Sequence, residues 1–217
     1  MKRMKIFLVD DHKIFREGLK NLLEFEEVGT IVGEACNGEE FLENVETAQP
    51  DLVLMDISMP ILNGIETTHK AIERFPDMKI IALSMHGDEE YYYQMIEAGV
   101  KGFLLKDSGI KEIERALYMV YEGESYFSNE LLRRIITNIS KPKTGLKDAE
   151  EINSLTKREI EVLREVCNGS TNDEIAEKLF ISTQTVKGHR SNILSKTNCR
   201  NSASLVMYAI KNKLVNL

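Results

Sequence analysis

Five polar residues in the first half of the chain have side chains that could together hold a metal ion and accept a phosphoryl group. Each ends or follows a short apolar segment: Asp10, Asp11, Asp56, Ser84 and Lys106. Carboxylates brought together repel one another unless a cation lies between them, and carboxylate oxygens without cysteine or histidine ligands suit Mg²⁺. A cation would shield an incoming phosphoryl group, so that one carboxylate acts as nucleophile while the hydroxyl and the ammonium group hold phosphoryl oxygens. These residue types favour a magnesium-dependent aspartyl phosphate on Asp56.

Alternating strand and helix patterns explain how residues so far apart in sequence could meet. Short hydrophobic segments, predicted to be β-strands, lie at 5–9, 30–35, 51–55, 79–83 and 102–105. Segments with helical periodicity lie at about 13–25, 38–47, 64–74, 88–98 and 110–122. This alternation predicts an α/β doubly wound, five-stranded parallel sheet, whose binding site lies at the carboxyl ends of the strands. One charged residue at a strand end is usually a solvated loop residue, but five in register favour a shared pocket.

Residues 4 to about 125 resemble the receiver domain of two-component response regulators. Four stretches carry the resemblance: VDDHKIFREGL (9–19), LVLMDISMPILNGIE (52–66), IIALSMH (80–86) and AGVKGFLLKD (98–107). The resemblance implies a flavodoxin-like fold in which Asp56 accepts a phosphoryl group from a sensor histidine kinase. It also implies that Mg²⁺ is held by the carboxylates of Asp10, Asp11 and Asp56 and by the backbone carbonyl of Ser58.

The resemblance further implies a switch next to the phosphoacceptor. Lys106 would pair with the phosphate, and the Ser84 hydroxyl would move inward and leave space into which the Phe103 ring rotates. Many receivers have threonine and tyrosine at the two switch positions, so this switch keeps the hydroxyl and the ring but lacks a phenolic hydrogen bond. The neighbouring Tyr91–Tyr93 cluster favours core packing with one exposed ring, and a dimer or interdomain contact is the alternative.

Length and composition set further bounds on the protein. The 217 residues leave room for about two domains, and 42% hydrophobic with 29% charged residues is typical of a globular protein. No apolar run approaches the ~20 residues that span a membrane, and the N-terminus lacks a signal-peptide pattern, so we expect a cytoplasmic protein without a membrane partner. Cys36, Cys167 and Cys199 form no C-x-x-C pair, which favours buried reduced thiols over disulfides or a metal site.

The net charge of −7 hides an asymmetry along the chain. Residues 154–217 contain ten basic and six acidic residues, a net charge of +4, which leaves −11 for residues 1–153. An acidic body joined to a basic C-terminal part predicts that only the C-terminal part binds nucleic acid.

Residues 154–217 have the pattern of an all-α four-helix domain. T-x-x-E capping boxes at Thr156 and Thr171 and a cap at Ser182 mark three helix starts. Helices are predicted at about 156–167, 172–179, 183–197 and 201–212, and the middle pair forms a tight helix-turn-helix. Before this domain, we predict a receiver domain at 1–125 and a linker at 126–153 with a short helix that begins at Ser128.

One face of the third predicted helix in this domain is small, polar and basic, while the opposite face is apolar. Gln184, Lys187, Gly188, Ser191 and Ser195 share the polar face. The segment LTKREIEVLREVCNGSTNDEIAEKLFISTQTVKGHRSNILSKT (155–197) closely resembles the LuxR-type helix-turn-helix. The whole chain is therefore identified as a member of the NarL/FixJ subfamily of response regulators.

The second resemblance implies a DNA-binding transcription regulator. Lys187, Gly188 and Ser191 would face the major groove with Gln184 beside them, although Ser191 departs from relatives that have a basic residue there. Thr183, Thr185 and Asn172 would approach phosphates, and Arg190 would combine a packed stem with a phosphate-facing head. The implied partners are double-stranded operator DNA, a second copy of the chain on activation, and RNA polymerase as a further candidate.

Two other classes of protein share some of these features. An aspartate-dependent phosphohydrolase also combines an aspartate nucleophile with Mg²⁺, but it resembles a D-x-D motif on the first strand, whereas the candidate nucleophile here is on the third. An orphan regulator, driven by protein partners instead of phosphate, is the second alternative. The complete set of pocket residues argues against it, and we expect a regulator that is not an enzyme.

Overall fold

The chain divides into two compact units, Met1–Phe127 and Ser128–Leu217. The computed structural model describes residues 3–85, 91–127, 155–212 and 214–215. The helix predicted to begin at Ser128 and most of the predicted linker lie outside these residues.

The first unit contains a five-stranded parallel sheet. Its strands are β1 (Met4–Val9), β2 (Gly29–Ala35), β3 (Leu52–Asp56), β4 (Ile80–Ser84) and β5 (Gly102–Leu105). Their order across the sheet is β2-β1-β3-β4-β5, so the chain reverses direction across the sheet between β1 and β3. Ligands of such sheets bind at this switch point, outside the carboxyl ends of the strands. The observed order confirms the predicted doubly wound fold.

Five helices cross over between the strands or follow the last one. They are α1 (Lys13–Phe25), α2 (Gly38–Ala48), α3 (Gly64–Arg74), α4 (Tyr92–Ala98) and α5 (Ile110–Tyr121). Helix α4 begins at Tyr92, later than predicted, and residues 86–90 before it are not described. The other four helices begin at the predicted residue and end within one residue of the prediction.

The core of the first unit explains why its strands are continuous apolar runs. Every residue of β3 and of β4 is buried, as expected for strands that are covered on both faces by helices. On one face, leucines of α1 pack with Ile113, Ala116, Leu117 and Val120 of α5 in a single cluster. This packing holds the carboxyl ends of the strands in fixed positions.

The second unit is helical in its described part. Its helices are α6 (Lys157–Cys167), α7 (Asn172–Leu179), α8 (Thr183–Lys196) and α9 (Ser202–Lys211). The predicted capping boxes are present at Thr156 and Thr171, and the Ser182 side chain accepts the backbone N–H of Thr185 at 3.0 Å. These caps confirm three predicted helix starts. Val162, Leu163, Ile175, Val186 and Ile193 are fully buried and connect three of the helices.

The three cysteines are free thiols. The prediction that they are buried is correct only for Cys167, because Cys36 is exposed and Cys199 is partly exposed.

Candidate functional site

Lys106 lies between two buried carboxylates at the carboxyl edge of the sheet. Its Nζ is 2.7 Å from Oδ2 of Asp10 and 2.8 Å from Oδ2 of Asp56. Asp10 and Asp56 are each only 2% exposed. The structure therefore brings together three predicted site residues that end or follow β1, β3 and β5.

Burial sets the electrostatics of this pocket. It raises the pKa of Asp56 from 3.8 to about 6, and the nearby Asp10 charge adds to the rise, while Lys106 and the backbone N–H of Ser58 oppose it. Burial by itself lowers the pKa of Lys106, but hydrogen bonds and charge interactions with the two aspartates raise it above its usual value. The pocket thus keeps the Lys106 cation beside the Asp56 carboxylate, which is costly to ionise.

Arg16 of α1 fixes the loop that carries Asp10. Its Nη1 donates to the backbone carbonyl of Asp10, and its Nε donates to Oε2 of Glu34 at 3.3 Å. The backbone N–H of Asp10 donates to the carbonyl of Ala35 at 3.1 Å. Arg16 was not among the predicted site residues, because helical periodicity alone does not distinguish it from a solvated basic residue.

A glycine lets the start of α3 approach the phosphoacceptor closely. A Cβ at Gly64 would lie 2.0 Å from the backbone oxygen of Asp56, which no other residue could tolerate without movement of the chain. The Gly64 N–H donates to the carbonyl of Ile57 at 2.9 Å. Asn63 caps the helix by accepting the N–H of Glu66 at 2.9 Å. The backbone of Asp56 is therefore held in place by the turn that follows it.

The acidic cluster has the donor atoms of a divalent-cation site. One ligand atom from each of Asp10, Asp11, His12 and Asp56 lies within 4.8 Å of the others. Oδ2 of Asp10 and Oδ2 of Asp56 are shielded from solvent and contact Nζ of Lys106, and Oδ1 of Asp11 is shielded and lies 2.9 Å from Nδ1 of His12. These oxygens fit Mg²⁺. The expectation that no histidine lies near these carboxylates is wrong, because the His12 ring belongs to the cluster. The sequence signal for this was the tripeptide Asp10-Asp11-His12.

Both predicted switch residues are buried. Ser84 is fully buried and its Oγ donates to the carbonyl of Met85 at 2.8 Å. Phe103 is 5% exposed, and its ring packs edge-on against Tyr92 with 4.6 Å between centroids. The Phe103 ring is therefore inside the unit in this structure, and its rotation into space left by the Ser84 hydroxyl stays a prediction. Tyr92 is a core residue, as expected for part of the tyrosine cluster, and Tyr91 and Tyr93 are partly exposed.

In the second unit, α8 has the two faces that its sequence predicts. Val186 and Ile193 are fully buried, and Thr197 directly after the helix is 5% exposed. On the opposite face, Gln184, Gly188, Ser191 and Ser195 are exposed and Lys187 is partly exposed. At the start of the helix, Thr185 is exposed and Thr183 is partly exposed. A Cβ at Gly188 would meet no atom within 4 Å, so packing inside the unit does not require glycine there.

Asn172 does not have the exposed position that was predicted for it, and the predicted packed stem of Arg190 fits its partial exposure. Asn172 is 2% exposed, and its Oδ1 accepts Nη1 of Arg190 at 2.7 Å. Nη2 of Arg190 donates to Oγ of Ser202 at 2.5 Å. The guanidinium group therefore connects α8 to α7 and α9 within the unit. A phosphate contact of the Asn172 side chain does not fit this arrangement, whereas the phosphate contact expected of Arg190 stays a prediction. The prediction for Asn172 failed because contacts between helices are not encoded in the periodicity of one helix.

A second polar contact fixes the other end of α8. Nζ of Lys196 lies 2.9 Å from Oε1 and 2.8 Å from Oε2 of Glu159, which is 3% exposed. Oε2 of Glu159 also accepts the N–H of Thr156 at 2.7 Å, which completes the capping box of α6. The exposed face of α8 is thus presented by a helix that is anchored near its middle and at its end.

Comparisons with known proteins agree with both parts of this geometry. The family model of the response regulator receiver domain matches residues 6–118, and that of the bacterial regulatory proteins of the luxR family matches residues 153–209. The oxygen regulatory protein NreC of Staphylococcus carnosus (strain TM300) is 37% identical over 218 residues, which cover 98% of this chain and 100% of NreC. The chain belongs to the response-regulator family.

Solved structures of response regulators have the same fold. ChrA, a response regulator of a heme-sensing two-component system, matches with a TM-score of 0.55 and 31% identity, over 99% of this chain and 100% of that chain. RcsB from Salmonella enterica serovar Typhimurium, bound to promoter rprA in the presence of phosphomimetic BeF₃⁻, matches with a TM-score of 0.56 and 26% identity, over 94% of this chain and 97% of that chain.

This response regulator has the domain composition of the NarL/FixJ type, a receiver followed by a LuxR-type helix-turn-helix. The family consists of DNA-binding transcriptional regulators and not of enzymes, which confirms the predicted class and removes the phosphohydrolase alternative. Among the described residues, no helix is both long and apolar enough to cross a membrane.

Proposed function

We propose that this response regulator accepts a phosphoryl group on Asp56 from a sensor histidine kinase and then binds operator DNA more tightly. The observation that supports Asp56 is the contact of Lys106 with both Asp56 and Asp10, whose carboxylates are buried. Of the clustered carboxylates, only Asp10 and Asp56 contact this lysine, and only Asp56 ends the strand next to β4, which carries Ser84.

The chemistry follows from the charges in the pocket. A carboxylate oxygen of Asp56 forms the bond to phosphorus while the bond from phosphorus to the donor breaks and the donor leaves with its electron pair. Lys106 offsets the negative charge on the phosphoryl oxygens. Mg²⁺, held by Asp10, Asp11, Asp56 and the Ser58 carbonyl, would neutralise the carboxylates and the incoming phosphoryl group.

Phosphorylation of the chain with a small donor tests this assignment. With acetyl phosphate and Mg²⁺, mass spectrometry should find one acid-labile phosphate, on Asp56, and none on Asp56→Asn. EDTA should prevent the modification. Undiminished phosphate on Asp56→Asn would rule out the assignment, and unchanged labelling in EDTA would rule out the role of Mg²⁺.

We infer that the exposed face of α8 is the DNA-reading surface. Gln184, Lys187, Gly188 and Ser191 would face the major groove, with Thr183 and Thr185 near phosphates. The absence of a bulky side chain at Gly188 leaves room for the close approach of a base pair. Phosphate contacts make such binding weaker as salt rises.

A substitution at the predicted base contact tests the face. Lys187→Ala should lose at least ~1 kcal/mol on a specific operator. The control is Lys178→Ala. Lys178 belongs to α7 and not to α8, and its Nζ lies 2.6 Å from Oε2 of Glu165 in α6. This variant should bind the operator like wild type. An unchanged operator affinity for Lys187→Ala would mean that another face reads the DNA.

Ser84 is the proposed link between phosphate and the rest of the chain. A phosphoryl oxygen on Asp56 would compete with the carbonyl of Met85 for the Ser84 hydroxyl, and a change there would reach the Phe103–Tyr92 pair on β5 and α4. The expected result of phosphorylation is a homodimer that prefers inverted-repeat DNA. The protein would act in the cytoplasm.

The conservative variant separates a hydroxyl effect from a packing effect. Ser84→Ala should dimerise and bind DNA only weakly in response to BeF₃⁻, whereas Ser84→Thr should respond as wild type does. If Ser84→Ala responds as fully as wild type in sedimentation and DNA binding, the hydroxyl is not the link.

A further inference from the structure

The His12 ring faces the acidic cluster from the start of α1. Its Nδ1 is 2.9 Å from Oδ1 of Asp11 and 3.4 Å from Oδ1 of Asp10. Asp56 completes a group of four residues whose ligand atoms lie within 4.8 Å of one another. Imidazole nitrogen is therefore available beside three carboxylates.

The backbone places this ring in the pocket. His12 is the residue before α1, yet its side chain makes no capping hydrogen bond to the helix. Its backbone N–H donates to Oδ1 of Asp10 at 2.8 Å, which holds the residue against that carboxylate. The side chain is 59% exposed, so a metal ion bound by the ring would be reached from solvent.

Histidine changes which metal ions the pocket can select. Mg²⁺ requires oxygen ligands and keeps several waters, whereas Zn²⁺ is bound well by imidazole together with carboxylates. In a four-coordinate zinc site with bonds of 2.0–2.2 Å, neighbouring ligand atoms lie about 3.4 Å apart. The two separations at His12, 2.9 and 3.4 Å, are already close to this distance, and all four ligand atoms lie within 4.8 Å of one another.

We propose that His12, with Asp10, Asp11 and Asp56, forms a Zn²⁺ site that competes with Mg²⁺ in the phosphorylation pocket. This inference rests on the proposed function, because it concerns the same carboxylates. A zinc ion with four protein ligands leaves no coordination position for a phosphoryl oxygen. Zn²⁺ bound in this way blocks phosphorylation of Asp56, so that phosphorylation falls as free Zn²⁺ rises.

Calorimetric titration of the full chain with Zn²⁺ and with Mg²⁺ tests this site. His12→Gln should weaken the binding of Zn²⁺ at least about tenfold, while the Mg²⁺ dissociation constant changes by less than about threefold. The control is His69→Gln in α3, which should leave both constants unchanged. All three proteins keep the same cysteines, so zinc bound by thiols is common to them.

The ring nitrogen itself gives a second, independent measurement. In protein labelled with ¹⁵N-histidine, the Nδ1 resonance of His12 is assigned as the one that is missing from His12→Gln. Zn²⁺ should shift this resonance, whereas Mg²⁺ should leave it unshifted. Zn²⁺ should also reduce the labelling of wild type by acetyl phosphate more than that of His12→Gln. Equal zinc affinities in wild type and His12→Gln, or an unshifted Nδ1 resonance, would overturn the zinc site. Failure of wild type to bind Mg²⁺ would instead contradict the proposed function.

Discussion

Replacement of Asp56 by asparagine should stabilise the metal-free receiver at neutral pH. Folding raises the pKa of this carboxyl from 3.8 to about 6, mainly because the group is buried. Since one pH unit of pKa corresponds to ~1.4 kcal/mol, ionised Asp56 costs the folded state on the order of 3 kcal/mol at pH 7. Asp56→Asn removes this cost, while Lys106 keeps its contact with Asp10.

The pH dependence has a definite sign. Below the unfolded pKa of 3.8, Asp56 is protonated in both states and the cost is absent. The cost grows as pH rises from 3.8 to about 6 and is complete above that range. The stability advantage of Asp56→Asn should therefore be close to zero near pH 4 and reach its full value by about pH 7.

Hydrogen exchange of the β3 amides, followed by mass spectrometry in the full chain with EDTA, measures the free energy of opening of this unit. The control is Asp77→Asn, which removes the same charge from an exposed position and should change stability by no more than about 0.5 kcal/mol. Added Mg²⁺ should stabilise wild type more than Asp56→Asn. If Asp56→Asn is no more stable than wild type at pH 7, or if its advantage persists at pH 4, burial does not control this carboxyl.

Three further predictions concern the second unit and the cysteines. Arg190→Met should destabilise the second unit by roughly 2–3 kcal/mol in chemical denaturation, because it leaves the buried Asn172 amide without its partner. The control is Arg164→Met at an exposed position, and an equal loss of stability in both variants would contradict a role of Arg190 in connecting the helices. Burial alone would raise the pKa of Glu159, but Lys196 and Thr156 together lower it. The stability that this carboxylate contributes should therefore be present above pH 4.5 and be lost as pH falls below it, and Glu159→Gln should remove this part of the pH profile measured by circular dichroism. Burial raises the pKa of Cys167 to about 12, whereas Cys36 is exposed. Peptide mapping after brief alkylation of native protein at pH 8 should therefore find Cys36 modified and Cys167 unmodified, and early modification of Cys167 would contradict its burial.

The arrangement of the sheet could be predicted because its signals are local. Apolar runs end at polar residues, and the structure places Asp56 and Ser84 as the last residues of β3 and β4. Hydroxyl caps followed by glutamate marked the starts of α6 and α7 for the same reason. The cap of α9 was missed because Asn201 pairs with Ser204, which lacks the acidic side chain of the usual signal.

Other features depend on contacts between distant segments. The hydrogen bond from Arg190 to Asn172 joins residues 18 positions apart on two helices, and no periodicity in either helix reports it. Phe103 is buried because Tyr92 of α4 offers it a ring to pack against. His12 could have been recognised from the sequence, since it directly follows two predicted metal ligands, but the orientation of its ring is set by the backbone turn before α1.

The binding of operator DNA by the full chain, with and without BeF₃⁻ and Mg²⁺, tests most directly whether Asp56 controls this response regulator. The operator would be selected from a random DNA pool and the dissociation constants measured at one salt concentration. BeF₃⁻ should tighten binding by wild type at least about fivefold and leave Asp56→Asn at its basal affinity. Two results would contradict control of DNA binding through Asp56. In the first, BeF₃⁻ tightens the binding of DNA equally in wild type and in Asp56→Asn. In the second, BeF₃⁻ does not tighten the binding of DNA by wild type, although wild type binds Mg²⁺.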